Sequence, residues 1–105
     1  MHANRLIALV GSILTAMVFV VAAQCAERNY WRHQHGYFQN TAGDKWEEQD
    51  GDGNLRHFVE KARTQSYVEL RDECRNCSVR LYDDRCDVKF DDGPFEQYYD
   101  GKWGN

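Results

Sequence analysis

The sequence predicts a small all-β domain, an antiparallel meander or partly closed barrel of six to seven strands held by disulfides. Three observations point there. Apolar and polar residues alternate over most of the chain from position 36, clusters rich in Gly, Asp and Asn separate the alternating runs, and there are 4 cysteines. Connections this short permit hairpins and leave no room for the crossovers that parallel strands need.

Residues 1–23 read as a signal peptide. Arg5 supplies the positive start, positions 6–23 are uncharged and rich in Leu, Ile, Val and Ala, and Val21-Ala22-Ala23 offers compact residues before a cut at Gln24. The rival reading, an uncleaved anchor, suffers from Gly11, Ser12 and Thr15 in a stretch already near the lower length limit for a span. Lipid attachment at Cys25 is disfavoured because Gln24 stands where a small residue is needed. The expectation is a secreted, extracellular protein, with no membrane attachment once the leader is cut.

Residues 24–35 show no clean period and read as an N-terminal arm leading into a domain over 36–105. Strands are predicted at 36–40, 45–49, 55–63, 67–72, 78–82, 87–90 and 96–99. The punctuation is Thr41-Ala42-Gly43-Asp44, Asp50-Gly51-Asp52-Gly53-Asn54, Arg75-Asn76, Asp83-Asp84 and Asp91-Asp92-Gly93-Pro94. Only the 55–64 stretch also fits a helix, and the turn cluster before it together with Phe58-Val59 favours a strand.

The central hairpin predicts its own register. With Arg75-Asn76 as a two-residue turn, Asn76 takes the positive-φ position, Cys74 faces Cys77, Asp72 faces Val79 and Leu70 faces Leu81. Val68, Leu70, Cys74, Cys77, Val79 and Leu81 then share one face, with Asp72 the polar exception. Glu69, Arg71, Ser78, Arg80 and Tyr82 take the other. Continuing, Leu81 meets Cys86, Val79 meets Val88 and Cys77 meets Phe90. A one-residue slip would expose the whole apolar set.

Export gives the cysteines a structural reading, two disulfides, over a zinc site or a redox pair. In this meander Cys86 lies beyond the far end of the strand that begins at Cys77. The gap exceeds the reach of a disulfide, and Cys74 sits beside Cys77. That leaves Cys74–Cys77 across the hairpin end and Cys25–Cys86 tying down the arm.

Lys and Arg total 13 against 17 Asp and Glu, a net charge of −4, and losing Arg5 with the leader makes the mature chain more acidic. Nucleic acid and anionic membrane are therefore poor partners. Of the aromatic residues only Phe19 lies in the leader, so the mature chain has the means to build a core. Asp50-Gly51-Asp52-Gly53-Asn54 alternates oxygen ligands, but the Gly and Glu required later in an EF-hand loop are replaced by Leu55 and Lys61. His33-x-His35 and distant His57 read as polar residues. Glu47-Glu48 and Glu60 offer carboxylates, with Arg63 and Arg80 as ready structural partners, and no nucleophile motif accompanies them. No catalytic residue, metal or cofactor is expected. Asn76-Cys77-Ser78 makes Asn76 a candidate glycosylation acceptor at an exposed tip.

Trp46-x-Glu48, Phe58-x-Glu60-x-x-Arg63, Tyr67-Val-Glu-Leu70-x-Asp72, Val79-Arg-Leu-Tyr-Asp-Asp84 and Tyr99-x-Gly-Lys-Trp103 follow one another in an order that resembles an uncharacterised small module of exported proteins. The resemblance covers residues 36–103 and implies the same order of strands. It carries no established activity, so no functional residue follows from it. The related sequences read Arg-Gly at the central turn and place other small residues at positions 74 and 77, making the hairpin cysteines particular to this chain.

Export, acidic turns, surplus aromatics and the missing catalytic set predict a non-catalytic extracellular protein. Its role would be binding or scaffolding, in a matrix or on an extracellular protein, glycan or matrix polymer. The alternative is a soluble secreted effector, a toxin, defence or signalling polypeptide.

Overall fold

The computed structural model describes residues 28–104. Eight strands follow one another as β1 (Tyr30–His33), β2 (Gly36–Ala42), β3 (Lys45–Gln49), β4 (Leu55–Arg63), β5 (Tyr67–Asp72), β6 (Cys77–Tyr82), β7 (Arg85–Phe90) and β8 (Glu96–Trp103). Each pairs antiparallel with its sequence neighbours, and β8 returns to β1, so the sheet closes into a barrel. Closure removes the two exposed sheet edges that an open meander would present. The all-β antiparallel expectation holds, with eight strands in place of six or seven and a barrel that is fully closed.

The extra strand is β1. Residues 30–33 belong to the stretch read as an arm, yet they pair with β2 through Trp31↔Phe38 and with β8 through Trp31↔Trp103. Its inward positions are Trp31 and His33, so one of only two core-facing side chains is polar and the alternation is too short to register. Strand β8 runs on to Trp103 for a related reason. Its inward series is Tyr99, Gly101, Trp103, and the middle member has no side chain to mark the face.

The hairpin β6–β7 has the predicted register, with Leu81↔Cys86, Val79↔Val88 and Cys77↔Phe90. The β5–β6 hairpin does not. Asp72 pairs with Cys77, Leu70 with Val79 and Val68 with Leu81, a shift of two positions from the expected pairing. An even shift keeps the side chains that remain in the two strands on their predicted faces, while Cys74 moves out into the turn. The cause is Asp72. Its carboxylate accepts from the backbone N–H of Cys74 (3.0 Å) and of Arg75 (3.3 Å) and pairs with the Arg75 side chain at 2.5 Å, building a four-residue turn over 73–76. Asn76 closes that turn with φ 49°, the left-handed conformation expected of it.

The same turn overturns the proposed hairpin bridge. Cys74 lies exposed in the turn, Cys77 is buried in β6, and Cys74, Cys77 and Cys86 are all free thiols. Disulfide stabilisation is thus absent among the described residues. Cys25 lies outside the described residues, as does the leader, so the Cys25–Cys86 pairing has only Cys86 within view. That thiol is fully buried in the barrel core.

The core draws on every strand. Trp31, Phe38, Trp46, Phe58, Val68, Leu70, Cys77, Val79, Leu81, Cys86 and Val88 form one buried cluster, with Tyr99 and Trp103 packed against it. An eight-stranded barrel is just wide enough for its own side chains or one small ligand. Which of these applies differs between its two ends.

One end is plugged. Trp46 and Trp103 meet edge to face at 6.4 Å, and the Trp31 indole N–H donates to the Tyr82 carbonyl at 2.7 Å. The Trp46 indole N–H donates to Glu60 at 2.9 Å, while Arg63 grips both oxygens of the same carboxylate at 2.9 and 3.2 Å. Arg63 also donates to the Arg28 carbonyl at 3.1 Å, strapping the entering chain over the plug.

Candidate functional site

The opposite end, formed by the turns that follow β1, β3, β5 and β7, is open. A cavity of about 180 Å³ enters there, walled by Phe38, Phe58, Cys77, Val79 and Val88, with Glu48 and Tyr99 deeper and Asp50, Arg56, Phe90 and Tyr98 around it. Glu48 comes into the barrel because strand alternation gives it the same face as Trp46, two residues earlier. Phe90 and Tyr98 pack together at 5.8 Å between ring centres yet remain 41% and 49% exposed, an apolar rim open to solvent.

Glu48 is only 6% exposed. Beside it lies the His33 imidazole, whose Nε2 is 3.9 Å from Oε2, too far for a hydrogen bond. His33 Nδ1 accepts the backbone N–H of His35 at 3.2 Å, which leaves the ring proton on Nε2. That buried Nε2 has no hydrogen-bond partner. The ring itself is fixed by stacking on Tyr99 at 3.9 Å with planes 9° apart. A buried donor therefore faces the carboxylate across a gap, and the carboxylate, which lines the open cavity, accepts no hydrogen bond from any described residue. An orphaned buried donor such as His33 Nε2 is uncommon in folded proteins and calls for a partner at this site.

Titration behaviour follows from this placement. Burial pushes the Glu48 carboxyl above its ordinary 4.5, the Arg56 and Arg75 guanidiniums offset only part of the rise, and Asp50 adds to it. Burial, reinforced by His35, pulls His33 below its ordinary 6.5. In Asp50, Glu60 and Asp72 the upward push of burial is outweighed by hydrogen bonds, from Asn54, Asp52 and Arg56, from Arg63 and Trp46, and from Arg75 and Cys74 respectively. Each of those three carboxyls sits below its ordinary value.

A pH signature follows. The folded state holds the Glu48 proton more tightly than the unfolded chain does, so this group lowers stability as pH rises from 4.5 through its folded value. The three lowered carboxyls act oppositely, losing their contribution as pH falls through their folded values, and that of His33 is lost as pH falls below 6.5. Glu48→Gln removes only the first effect. Its Tm should exceed that of the wild type near pH ~7.5, with the gain shrinking toward zero as acid protonates Glu48. A gain of constant size at every pH would contradict an elevated Glu48.

The other residues singled out in the sequence lie apart. Glu60 and Arg63 are bound to each other in the plug, at the far end from Glu48, and Arg80 pairs instead with Glu69 at 2.7 Å across the outer face. The Asp50 turn is closed on itself, its carboxylate accepting from the N–H of Asp52 and of Asn54, each at 3.0 Å, and pairing with Arg56 at 3.4 Å. Among the described residues no cluster of His, Cys, Asp and Glu is arranged to hold a metal ion. Asn76 is exposed, and its amide already donates to Asp91 at 3.3 Å and accepts from Arg71. The sequence offered Glu48 as a carboxylate with Arg63 and Arg80 as structural partners, and His33 as a polar residue of the arm. The signal for both was parity, since each stands two residues from an inward tryptophan, Trp46 and Trp31.

A second concavity, about 560 Å³, lies beside the end of β5, where Thr41, Lys45, Glu47, His57, Val59 and Arg71 contribute to its lining. Of its charged groups, Arg71 pairs with Glu73 at 3.4 Å and Asp72 with Arg75, while Lys45 stands exposed to solvent. No buried group faces it unpaired, so the mouth is the better candidate despite its smaller volume.

The thiols differ sharply in access. Burial raises both Cys77 and Cys86 far from thiolate formation, Cys86 the more strongly. Of these three cysteines, iodoacetamide on the native protein should mark Cys74 alone, with Cys77 and Cys86 reacting only after denaturant is added. Equal native labelling of Cys77, read by peptide mapping, would mean that the cavity wall is open to reagent.

Fold and site together define an eight-stranded up-and-down barrel with one plugged end and one ligand-sized mouth. Comparison with known protein families, characterised proteins and solved structures yields no match.

Proposed function

We propose that this chain is an exported, non-catalytic binding protein that takes a small ligand into the open mouth of its barrel. The observation that carries this reading is Glu48, which is buried, unpaired and turned toward a cavity with apolar walls. A barrel optimised only for stability would gain by placing an apolar residue there. A ligand that partners the carboxylate accounts for its retention. Export rests on the leader pattern of residues 1–23. A non-catalytic role fits a cavity whose one thiol, Cys77, is held protonated by burial and whose lining has no serine or threonine.

A matrix or mineral scaffold has less support. Asp50, Asp52, Asp91 and Asp92 lie around the mouth, but Asp44, Asp83 and Asp84 lie at the plugged end, so the acidic turns make no single templating face.

Val88 lines the cavity and is 6% exposed, so Val88→Phe fills the space from within. Thermal-shift titration with small neutral, cationic and anionic aromatic compounds should reveal at least one that raises the wild-type Tm. That rise should vanish in Val88→Phe, whose fold is checked by circular dichroism. No stabilising compound, or an equal rise in the filled variant, would contradict the mouth as the binding site.

A further inference from the structure

We infer that the mouth is a site for a small primary amine with a compact aromatic body, its ammonium on Glu48 and its ring among the aromatic side chains. The inference rests on the mouth being a ligand site and adds the ligand's chemistry. Charge decides the sign. The lining holds two carboxylates, Glu48 and Asp50, and a single cation, Arg56, and that cation is already paired with Asp50 at 3.4 Å. Arg75, whose charge also reaches Glu48, is held by Asp72 at 2.5 Å, so Glu48 has no arginine or lysine of its own in contact. An ammonium supplies the donor that the carboxylate lacks, in the form of a charge-assisted hydrogen bond within an apolar enclosure. His33 lies behind, its Nε2–H 3.9 Å from Oε2. A carboxylate ligand would meet Glu48 as a like charge and find Arg56 occupied.

The walls fit the rest of such a molecule. Phe38, Phe58, Phe90, Tyr98 and Tyr99 give five rings around the space, apolar toward a ligand's body and negative-faced toward a cation. A cavity of ~150 Å³ suffices for benzene. The 180 Å³ here therefore admits one ring with a short aminoalkyl arm and excludes fused polycyclic molecules or long acyl chains.

The test uses the intact protein and isothermal titration calorimetry near neutral pH with three probes matched in size: 2-phenylethylamine, 2-phenylethanol and 3-phenylpropionate. The amine should bind one to one, with the alcohol weaker by roughly 10- to 100-fold and the acid weaker again. Glu48→Gln, nearly isosteric and checked for fold, should bring the amine down to the level of the alcohol. Amine and alcohol of equal affinity, or an amine affinity unchanged in Glu48→Gln, would overturn the amine assignment while leaving the mouth reading in place. Binding of the acid in preference to the amine would reverse the assigned charge. No binding of any probe would overturn both readings.

Discussion

Trp31→Ala is expected to cost about 3–5 kcal/mol, the range for removing a large aromatic side chain from a packed core. Domains have only about 5–15 kcal/mol in total, and one this small belongs toward the lower end. The variant should therefore be largely unfolded well below the temperature at which the wild type melts. Trp31 is fully buried, its ring meets Phe38 at 6.2 Å, and its indole N–H satisfies the Tyr82 carbonyl at 2.7 Å. It also sits on the short strand that joins first and last elements, so its loss opens the seam as well as a cavity. Urea denaturation followed by tryptophan fluorescence and circular dichroism measures the effect. A loss below about 1 kcal/mol would mean that β1 is a peripheral arm after all.

Gly101→Val tests the same seam from the opposite strand. A Cβ on residue 101 would lie 2.3 Å from Cη2 of Trp31 and 2.4 Å from the Arg32 carbonyl oxygen. The first clash involves a large ring locked in the core and the second involves backbone, so neither yields by a side chain swinging aside. The expected cost is at the upper end of the roughly 1–3 kcal/mol typical of overpacking. Trp31→Phe frees the space taken by the outer indole ring, so it should relieve Gly101→Ala in part. The Arg32 carbonyl keeps the relief incomplete. A double-mutant cycle from denaturant midpoints reads that coupling directly, and strict additivity would show that the two residues do not touch.

Much of the barrel was legible because most strands bury one face and obey a period of two. The strands β3, β4 and β5 fall where alternation and turn residues place them, and β6–β7 keeps its register because slipping would expose Val79, Leu81, Cys86 and Val88 together. What escaped was polar or missing at an inward position. His33 hid β1, Gly101 hid the end of β8, and without β1 nothing in the sequence tied β8 back to close the sheet. The central turn was misplaced because the two candidate registers differ by an even number and bury the same strand residues, differing only at Cys74. Asp72 decides between them through hydrogen bonds that hydropathy does not encode. The Cys74–Cys77 bridge was misplaced along with that turn. The site was hidden for the same reason as β1: a carboxylate facing inward looks like a break in the pattern until the strands on either side of it are paired.

Inward placement of an unpaired Glu48 joins the fold to the proposed role, and carbon-13 NMR of its side-chain carboxyl measures that placement without any ligand. The carboxyl resonance, assigned by its loss in Glu48→Gln, should titrate with a midpoint above the 4.5 of an ordinary glutamate, while Glu60 titrates below it. A Glu48 midpoint at or below 4.5 would show a solvated or ion-paired carboxylate, and the barrel mouth would then hold no group waiting for a partner.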